Sequence, residues 1–482
     1  MGLLSILLLT PLSGALAVLL LPALAARWVA LTVAGSAAGI ALLVLFLFDA
    51  SLATPQLFES HVWNPRLGTH LSLAVDGISL PMVLLTATLA GVAILASTGI
   101  HERQRAYFAL LLILESAILG VFMARDWAIF YVFWDMTLIP LFFLIDRWGG
   151  EDRHRAALNF VLYTMGGSVF MLVALLSLYD LLPAHTFDMT AFADGGRHLP
   201  LATQIILFLG LLVGFGVKLP LVPLHGWLPL AHVEAPAPVS ILLSGVLLKM
   251  GAYGLLRACE TLPLAALALQ DTLATLALLG LIYGGLMAWR QNDLKSMVAY
   301  ASVSHMGIVL LGIAGLNAVS IHGAVLQMVA HGLIAALLFL LVGRLYERTH
   351  QRELAFYSGL LGAAPRAALL VSFAFLAAIG LPGSLGFIAE VHALAGGLGR
   401  WGGWLALLVL GALISAAYGL RVTQHVLSRH CSHPAAVVDF SPRETLLAGS
   451  LLAAVVGLGL MPAPLLALVG ASVRQLAGRL LT

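Results

Sequence analysis

Apolar residues run along this chain in long segments, separated by short stretches that hold most of the polar and charged positions. A segment of about 20 apolar residues is long enough to cross a bilayer as an α-helix. The pattern predicts about fourteen membrane-spanning helices, at 3–22, 28–48, 78–98, 106–124, 127–145, 156–179, 201–229, 237–257, 266–288, 294–315, 320–343, 366–396, 403–427 and 445–461. A C-terminal segment, 464–482, follows the last of these spans.

Two of the predicted spans are long and interrupted. The seventh contains VKLPLVPLHGWLP with Pro220, and the twelfth contains IGLPGSLGFIAE with Pro382. Interrupted hydrophobic segments at corresponding places in two halves of a chain are typical of inverted-repeat transporters, although two ordinary proline kinks would look the same. The repeat interpretation predicts an all-α polytopic membrane protein with two inverted five-helix repeats, in which helices 7 and 12 are broken.

This interpretation divides the chain into four parts. They are an N-terminal three-helix segment at 1–100, a first repeat of helices 4–8 at 101–258, a second repeat of helices 9–13 at 259–430, and helix 14 with the C-terminal tail at 431–482.

Composition supports the membrane class and excludes others. The chain is 61% hydrophobic and 10% charged, whereas a soluble domain has about 25% charged residues. A net charge of +2 is too small to indicate nucleic-acid binding. The two cysteines, Cys259 and Cys431, cannot build a disulfide framework or hold an iron–sulfur cluster. Because the first basic residue is Arg27, the first apolar segment is interpreted as a retained helix rather than a signal peptide.

The distribution of basic residues indicates an orientation. With the N-terminus outside, 15 Lys and Arg residues fall on the inner side and 7 on the outer side. Because inner loops are enriched in basic residues, the count predicts both termini on the outer side and an even number of helices. It also places Cys259 outside and Cys431 inside, so the two could not pair.

Several charged residues lie inside the predicted spans, where they are costly and therefore functional candidates. They are Glu115, Asp135, Lys218, Lys249 and Glu390. Ion pairs that only fix helix packing are the structural alternative. The chain has 3 lysines and 21 arginines, yet the two basic residues inside spans are both lysines. Because a buried lysine can release its proton and an arginine does not, this choice favours proton transfer.

Histidines extend this polar series. His225 and His232 flank the GWLP of the first break, and His305 and His331 lie within spans. Imidazole titrates near neutral pH, so these side chains together favour a proton relay over hydrogen-bonded packing. Zinc or haem ligation is a weaker alternative, because the sequence has no short-spaced His/Cys set.

Four segments carry a family resemblance: FGVKLPLVPLHGWLPLAHVEAPAPVSILLSGVLLKMGAYGLLR, AYASVSHMG, QMVAHGL and GLPGSLGFIAE. They resemble the antiporter-like membrane subunits of respiratory complex I, in particular the family of NADH-quinone oxidoreductase chain M and NADH dehydrogenase subunit 4. The similarity extends from VDGISLP at 75–81 to AAYGLRVTQHV at 416–426. His305 and Glu390 favour this family over Mrp-type antiporter subunits, which more often have Gln and Lys there.

The resemblance implies a proton-translocating subunit. In it Asp135 would pair with Lys218, Lys249 would be the central relay and Glu390 the terminal site. The polar axis between them would be lined by His225, His305 and His331. No cofactor is expected on this chain, because FMN, iron–sulfur clusters and the quinone site belong to partner subunits of this family's complexes.

The implied partners are the antiporter-like chains L and N, the redox arm reached through them, and lipids, in a bacterial inner membrane. The alternatives are a subunit of a Mrp-type antiporter, a membrane-bound hydrogenase or a photosynthetic complex. A scaffold that no longer pumps is a further alternative, but the intact Lys218, Lys249 and Glu390 argue against it.

Two positions depart from the family pattern. Asp135 stands where the family has Glu in FWE, and Leu230 stands where it has Asp in WLPDAH. Asp is one methylene shorter than Glu, so a water bridge could replace direct contact with Lys218.

Overall fold

The computed structural model describes residues 2–428 and 437–481. Regular structure there is almost entirely helical, which confirms the predicted all-α class. The first twelve helices are α1 Leu3–Leu20, α2 Ala23–Leu47, α3 Ser79–Ala96, α4 Gln104–Met123, α5 Trp127–Met136, α6 Leu138–Trp148, α7 Arg153–Leu181, α8 Met189–Gly196, α9 Leu201–Lys218, α10 Trp227–Glu234, α11 Ala237–Leu242 and α12 Leu248–Thr261. The other ten are α13 Pro263–Ala268, α14 Gln270–Arg290, α15 Leu294–Ala314, α16 Ala318–Thr349, α17 Leu360–Ala363, α18 Pro365–Ala378, α19 Leu385–Trp401, α20 Ala406–Leu427, α21 Pro442–Leu460 and α22 Ala463–Leu481.

Twelve helical segments within the described ranges are long and apolar enough to cross a bilayer. Helices α5 and α6 together form one such segment, and α11 and α12, joined by a π-helical turn at Leu243–Leu247, form another. Large apolar side chains such as Leu24, Phe46 and Leu446 are exposed, as expected where helices face lipid. The count of fourteen spans, the inverted repeat and the four-part division stay predictions.

Both spans that were predicted to be broken, the seventh and the twelfth, are interrupted in the structure. Helix α9 ends at Lys218 and α10 begins at Trp227, with Pro220 between them. Helix α18 ends at Ala378 and α19 begins at Leu385, with Pro382 between them. In the second break Gly380 and Gly383 have φ values of 75° and 98°, a region that glycine adopts without strain. The breaks therefore leave backbone amides and carbonyls outside helical hydrogen bonding at membrane depth.

The centre of the bundle consists of α16 and the segment from α11 to α12, which are buried along their most apolar stretch. Helix α9 packs closely against α12, where a Cβ on Gly251 would lie 2.6 Å from the carbonyl oxygen of Phe215. Helix α19 packs equally closely against α16, since a Cβ on Gly323 would clash with the backbone of Ala393. Helices α9 and α12 are thus neighbours, as are α16 and α19, and the π-helical turn that leads into α12 packs against α16.

A two-stranded antiparallel hairpin, not predicted from the sequence, occupies much of the 49–77 connection. Strand β1, Gln56–Asn64, pairs with β2, Thr69–Val75, so that Ser60 lies opposite Ser72. Glu59 on β1 accepts hydrogen bonds from the backbone amides of Leu4 and Ser5, at 2.7 and 3.1 Å, and so caps helix α1. The hairpin therefore fixes the start of the first helix.

The C-terminal segment after the last predicted span forms helix α22, which returns to the bundle. Its Ser472 Oγ accepts a hydrogen bond of 2.9 Å from the amide of Gly77. Cys259 is buried with a free thiol. Cys431, and the boundary predicted between residues 430 and 431, lie outside the described residues.

Candidate functional site

Lys218 ends helix α9 and its side chain is fully buried. Its Nζ donates to the carbonyl of Trp134 at 2.8 Å and to Oγ1 of Thr137 at 3.0 Å. The same Nζ lies 3.9 Å from the ring centroid of Trp134, a cation–π distance. Both acceptors lie at the junction of α5 and α6, where the regular helix is interrupted at Thr137. Lys218 is thus solvated by a carbonyl, a hydroxyl and an indole face.

Asp135 lies next to this cradle but does not form an ion pair with Lys218 within 4.0 Å. Its Oδ1 instead accepts a hydrogen bond of 2.5 Å from Ser168 Oγ on α7. The sequence left two arrangements open, direct contact between Asp135 and Lys218 or a water bridge between them. Direct contact is not formed. The short Asp side chain reaches the serine while Lys218 binds the carbonyl of the preceding residue. A bridging water stays a prediction.

Lys249 lies at the centre of the bundle, one residue into α12 and fully buried. Its Nζ donates to the carbonyl of Ser244 and lies 2.7 Å from Nδ1 of His331 on α16. Ser244 belongs to the π-helical turn, a local widening that frees carbonyls from the regular helical pattern and often occurs at functional sites. Lys249 therefore contacts a titratable imidazole and no carboxylate.

His305 on α15 extends this contact. Its ring centroid lies 5.5 Å from that of His331, and its Nδ1 lies 3.4 Å from Nε2 of Gln327. A cavity of about 10 Å³, close to the space that one water needs, lies against both rings. Nε2 of each imidazole is buried without a hydrogen-bond partner among the described residues. Lys249, His331 and His305 are thus neighbouring titratable side chains, which we call the central cluster.

His225 lies apart from the central cluster, in the break between α9 and α10. Its ring meets Tyr283 edge to face at 5.0 Å between centroids. His232, on α10, stacks against Phe339 at 4.6 Å, and in the described part of the chain neither of its ring nitrogens has a partner. Of the two, His232 is the more completely buried.

Lys295 is one of the 15 basic residues that the sequence places in inner loops and helix ends, and its side chain is buried in the structure. Its Nζ donates to the carbonyls of Val233 and Ala235, at 3.0 and 2.5 Å, at the end of α10. The sequence did not predict this burial, because the polar residues of QNDLK are typical of an exposed loop. The third lysine of the chain is therefore also desolvated.

Glu390 lies on α19, beside the second break. A Cβ on Gly380 would lie 2.7 Å from its Oε2, so the carboxylate rests against the break itself. Glu390 also lines a cavity of about 150 Å³ with Ile308, Val409 and Ser415. This space is large enough for several waters.

Glu115 is buried in α4, and both its carboxylate oxygens lack a partner within the described ranges. The structure gives no account of its presence.

Comparison with known proteins places this arrangement in a family. Residues 124–415 match the family described as "NADH:quinone oxidoreductase/Mrp antiporter, TM". The chain is 40% identical over 448 residues to NAD(P)H-quinone oxidoreductase chain 4 2 of Thermosynechococcus vestitus, covering 90% of this chain and 84% of that protein. The chain belongs to this family. A second member, NAD(P)H-quinone oxidoreductase chain 4 1 of Synechococcus sp. (strain JA-2-3B'a(2-13)), is 40% identical over 474 residues, covering 95% of this chain and 89% of that one.

A solved family structure has the same fold. One chain of respiratory complex I from Thermus thermophilus with bound NADH superposes with a TM-score of 0.91 at 32% identity, covering 99% of both chains. These findings confirm the resemblance to antiporter-like complex I subunits that the sequence motifs indicated.

Proposed function

We propose that the chain is a proton-translocating membrane subunit of an NADH-quinone oxidoreductase. The observation that carries the proposal is the 2.7 Å contact between Lys249 Nζ and His331 Nδ1 at the centre of the bundle. A lysine that touches an imidazole and no carboxylate has no partner that favours permanent charge, so either group can hold the proton. Membership of the family, and the names of its relatives, support the coupling to quinone chemistry.

The proposed path has three stations. Lys218, with Asp135 as its modulator, receives a proton beside the first break. The central cluster then carries it from Lys249 through His331 to His305. Glu390, beside the second break, is the terminal station. The order follows the packing of α9 on α12, of the π-helical turn before α12 on α16, and of α16 on α19. Waters in the cavities at His305 and Glu390 would join the stations.

Asp135 acts in this scheme by changing position. Held by Ser168, it leaves Lys218 with only neutral ligands, which favour the charged lysine less than a carboxylate does. If Asp135 moves to Lys218, the pair retains the proton. Two charges 4 Å apart at an effective dielectric of 20 interact by about 4 kcal/mol before desolvation, enough to reverse the direction of transfer.

The redox chemistry belongs to other subunits in this proposal. FMN, iron–sulfur clusters and the quinone site would lie in partner chains, and this chain would contact antiporter-like chains L and N within a bacterial inner membrane. Both termini would face the outer side.

Replacement of Lys249 tests the proposal. Lys249→Ala removes the amine, whereas Lys249→Arg keeps a cation that does not release its proton. Both variants should assemble, and both should reduce proton pumping per assembled complex by about 10²-fold or more. Pumping is measured in reconstituted vesicles together with NADH oxidation. Full pumping by a well-assembled Lys249→Arg complex would show that this lysine only supplies charge.

A further inference from the structure

A second polar region lies away from the proposed path, where α22 meets the ends of other helices. It is a cavity of about 170 Å³, which we call the cationic cavity. Its charged lining consists of Arg125, Arg257, Arg479, Asp76 and Glu260. Three guanidinium groups face two carboxylates, so the lining has one unbalanced positive charge.

The contacts within the lining leave some guanidinium N–H donors without an acceptor in the part of the chain that the structure describes. Arg257 binds Asp76 and lies 3.2 Å from Glu260, while Arg479 lies 2.8 Å from Glu260. Arg125 approaches Asp76 only to 3.6 Å, longer than a hydrogen bond, although its side chain is just 11% exposed. Nε of Arg257 is also buried without a partner among the described residues. A buried guanidinium with free donors favours an anion, and its planar fork matches the geometry of a carboxylate or a phosphate.

An apolar groove of about 400 Å³ lies beside the cationic cavity. Its lining is almost wholly aliphatic and includes Leu84 of α3, Leu333 of α16, Leu458 of α21 and Leu468 of α22. Such a lining, in a protein that spans a membrane, suits an acyl chain.

The cavity and the groove share three segments of the chain. Leu45, near the end of α2, lines the groove, and Thr54, in the connection that follows α2, lines the cavity. Pro81, in the first turn of α3, lines the groove, and Asp76, just before α3, lines the cavity. On α22, Leu468 lines the groove and Ser472 the cavity, one helical turn or about 6 Å apart.

The residue at the junction is Gly77. Its amide donates to Ser472 Oγ at 2.9 Å, and it contributes no side chain there. A Cβ on Gly77 would lie 2.5 Å from the carbonyl oxygen of Leu468, so the two spaces lie one helical turn apart along α22, next to this close backbone contact.

We propose that this composite site binds one anionic phospholipid, with its phosphodiester in the cationic cavity and an acyl chain in the apolar groove. The single negative charge of a phosphodiester balances the unpaired positive charge of the lining. A zwitterionic lipid would bring its own cation into a site that already has an excess of positive charge, so anionic headgroups are preferred. By holding both ends of this site, the lipid would fasten α22 to α3.

Photolabelling of the full-length chain within its purified complex tests the proposal. The probe is phosphatidylglycerol that carries a diazirine in one acyl chain, and labelled peptides are identified by mass spectrometry. We expect labels on the groove segments that contain Leu84, Leu333, Leu458 and Leu468. Unlabelled phosphatidylglycerol should compete, whereas phosphatidylcholine and inorganic phosphate should not.

Two arginines on α22 provide a matched pair. Arg479 lines the cationic cavity, whereas Arg474 is exposed on the same helix and does not line it. Arg479→Met should reduce labelling about tenfold, the effect of one lost charge-assisted contact, and Arg474→Met should leave it unchanged. If Arg479→Met does not assemble, Leu468→Trp, which fills the groove without touching the charges, should abolish labelling.

Several results would overturn the proposal. Equal competition by phosphatidylcholine would indicate a groove that accepts any lipid, and competition by inorganic phosphate would indicate a free-ion site. Equal labelling of the two arginine variants would show that the cationic cavity does not bind the lipid. Retained labelling of Leu468→Trp would show that the apolar groove does not hold its acyl chain. A protein partner on this face would exclude the lipid, so the absence of labelling in the assembled complex would also contradict it.

Discussion

Lys249 Nζ lies 2.7 Å from Nδ1 of His331, and the two side chains come from different central helices, α12 and α16. One proton can occupy this contact comfortably, whereas two would place adjacent positive charges in a buried site. The contact therefore couples the protonation of one group to that of the other.

Replacement of His331 tests whether this contact relays protons or only positions the lysine. His331→Gln keeps a polar side chain but removes the titratable ring. We expect pumping per assembled complex to fall by about 10²-fold or more, the usual contribution of a proton-transfer group. His322, on the same helix, provides the control: its Nδ1 lies 2.6 Å from the carbonyl oxygen of Ala318, one turn earlier, and His322→Gln should pump normally. Normal pumping by His331→Gln would assign the imidazole a packing role.

Asp135→Asn keeps the shape of the side chain and removes its charge. The amide can still accept from Ser168, so the fold should be retained while pumping is strongly reduced. Asp146, in the same span and paired with His154 at 2.8 Å, supplies a matched Asn variant that should pump normally. Asp135→Glu restores the family's side-chain length and should retain function. Pumping by Asp135→Asn at the wild-type rate would show that the Asp135 carboxylate is not needed for proton transfer.

Ser168→Ala tests the position of Asp135. A hydrogen bond to a charged group contributes about 1.5–3 kcal/mol, so its loss should shift Asp135 toward Lys218 by about 10- to 100-fold. A tighter pair retains its proton, and pumping should slow. The double variant Ser168→Ala/Asp135→Asn should pump no worse than Asp135→Asn alone, because the serine then has no charge to hold. Additive losses in the double variant would contradict this coupling.

The terminal station can be displaced through the backbone beside it. Gly380→Ala introduces a Cβ 2.7 Å from Glu390 Oε2, at a residue whose φ is 75°. Gly383→Ala is equally unfavourable for the backbone, with φ of 98°, but its Cβ would contact only Leu460, at 3.7 Å. Both variants should have a lower free energy of unfolding than the wild type, by a similar amount of about 1 kcal/mol or more. Only Gly380→Ala should also reduce pumping. Equal pumping by the two variants would show that Glu390 does not take part in proton transfer.

The sequence alone predicted which residues lie in the bilayer interior, because a charged side chain stands out in an apolar segment. It also located both breaks, since Pro220 and Pro382 cannot continue a helix without losing hydrogen bonds. The partner of Asp135 was not predictable, because Ser168 is one of many small polar residues in spans and only helix packing selects it. The burial of Lys295 was missed for the same reason: the side chain reaches back to carbonyls of α10, 60 residues earlier in the chain.

The buried pair of Asp76 and Arg257 should contribute more to stability than an exposed pair does. Burial by itself raises the pKa of Asp76, but Arg257 and Arg125 outweigh burial and hold the pKa below its ordinary value of 3.8. The carboxylate therefore stabilises the fold above about pH 3.8, and this contribution is lost as pH falls through the lower folded-state pKa.

Asp76→Asn should destabilise the protein at neutral pH by about 3–5 kcal/mol, because Arg257 is left buried without full compensation. Asp271, whose pair with Arg400 is largely exposed, is the control, and Asp271→Asn should cost about 0–1 kcal/mol. Thermal unfolding of the detergent-solubilised protein across a pH series measures both. The difference between wild type and Asp76→Asn should shrink as pH falls below 3.8. Equal losses of unfolding free energy for the two variants at neutral pH would show that the buried pair contributes no more to stability than the exposed one.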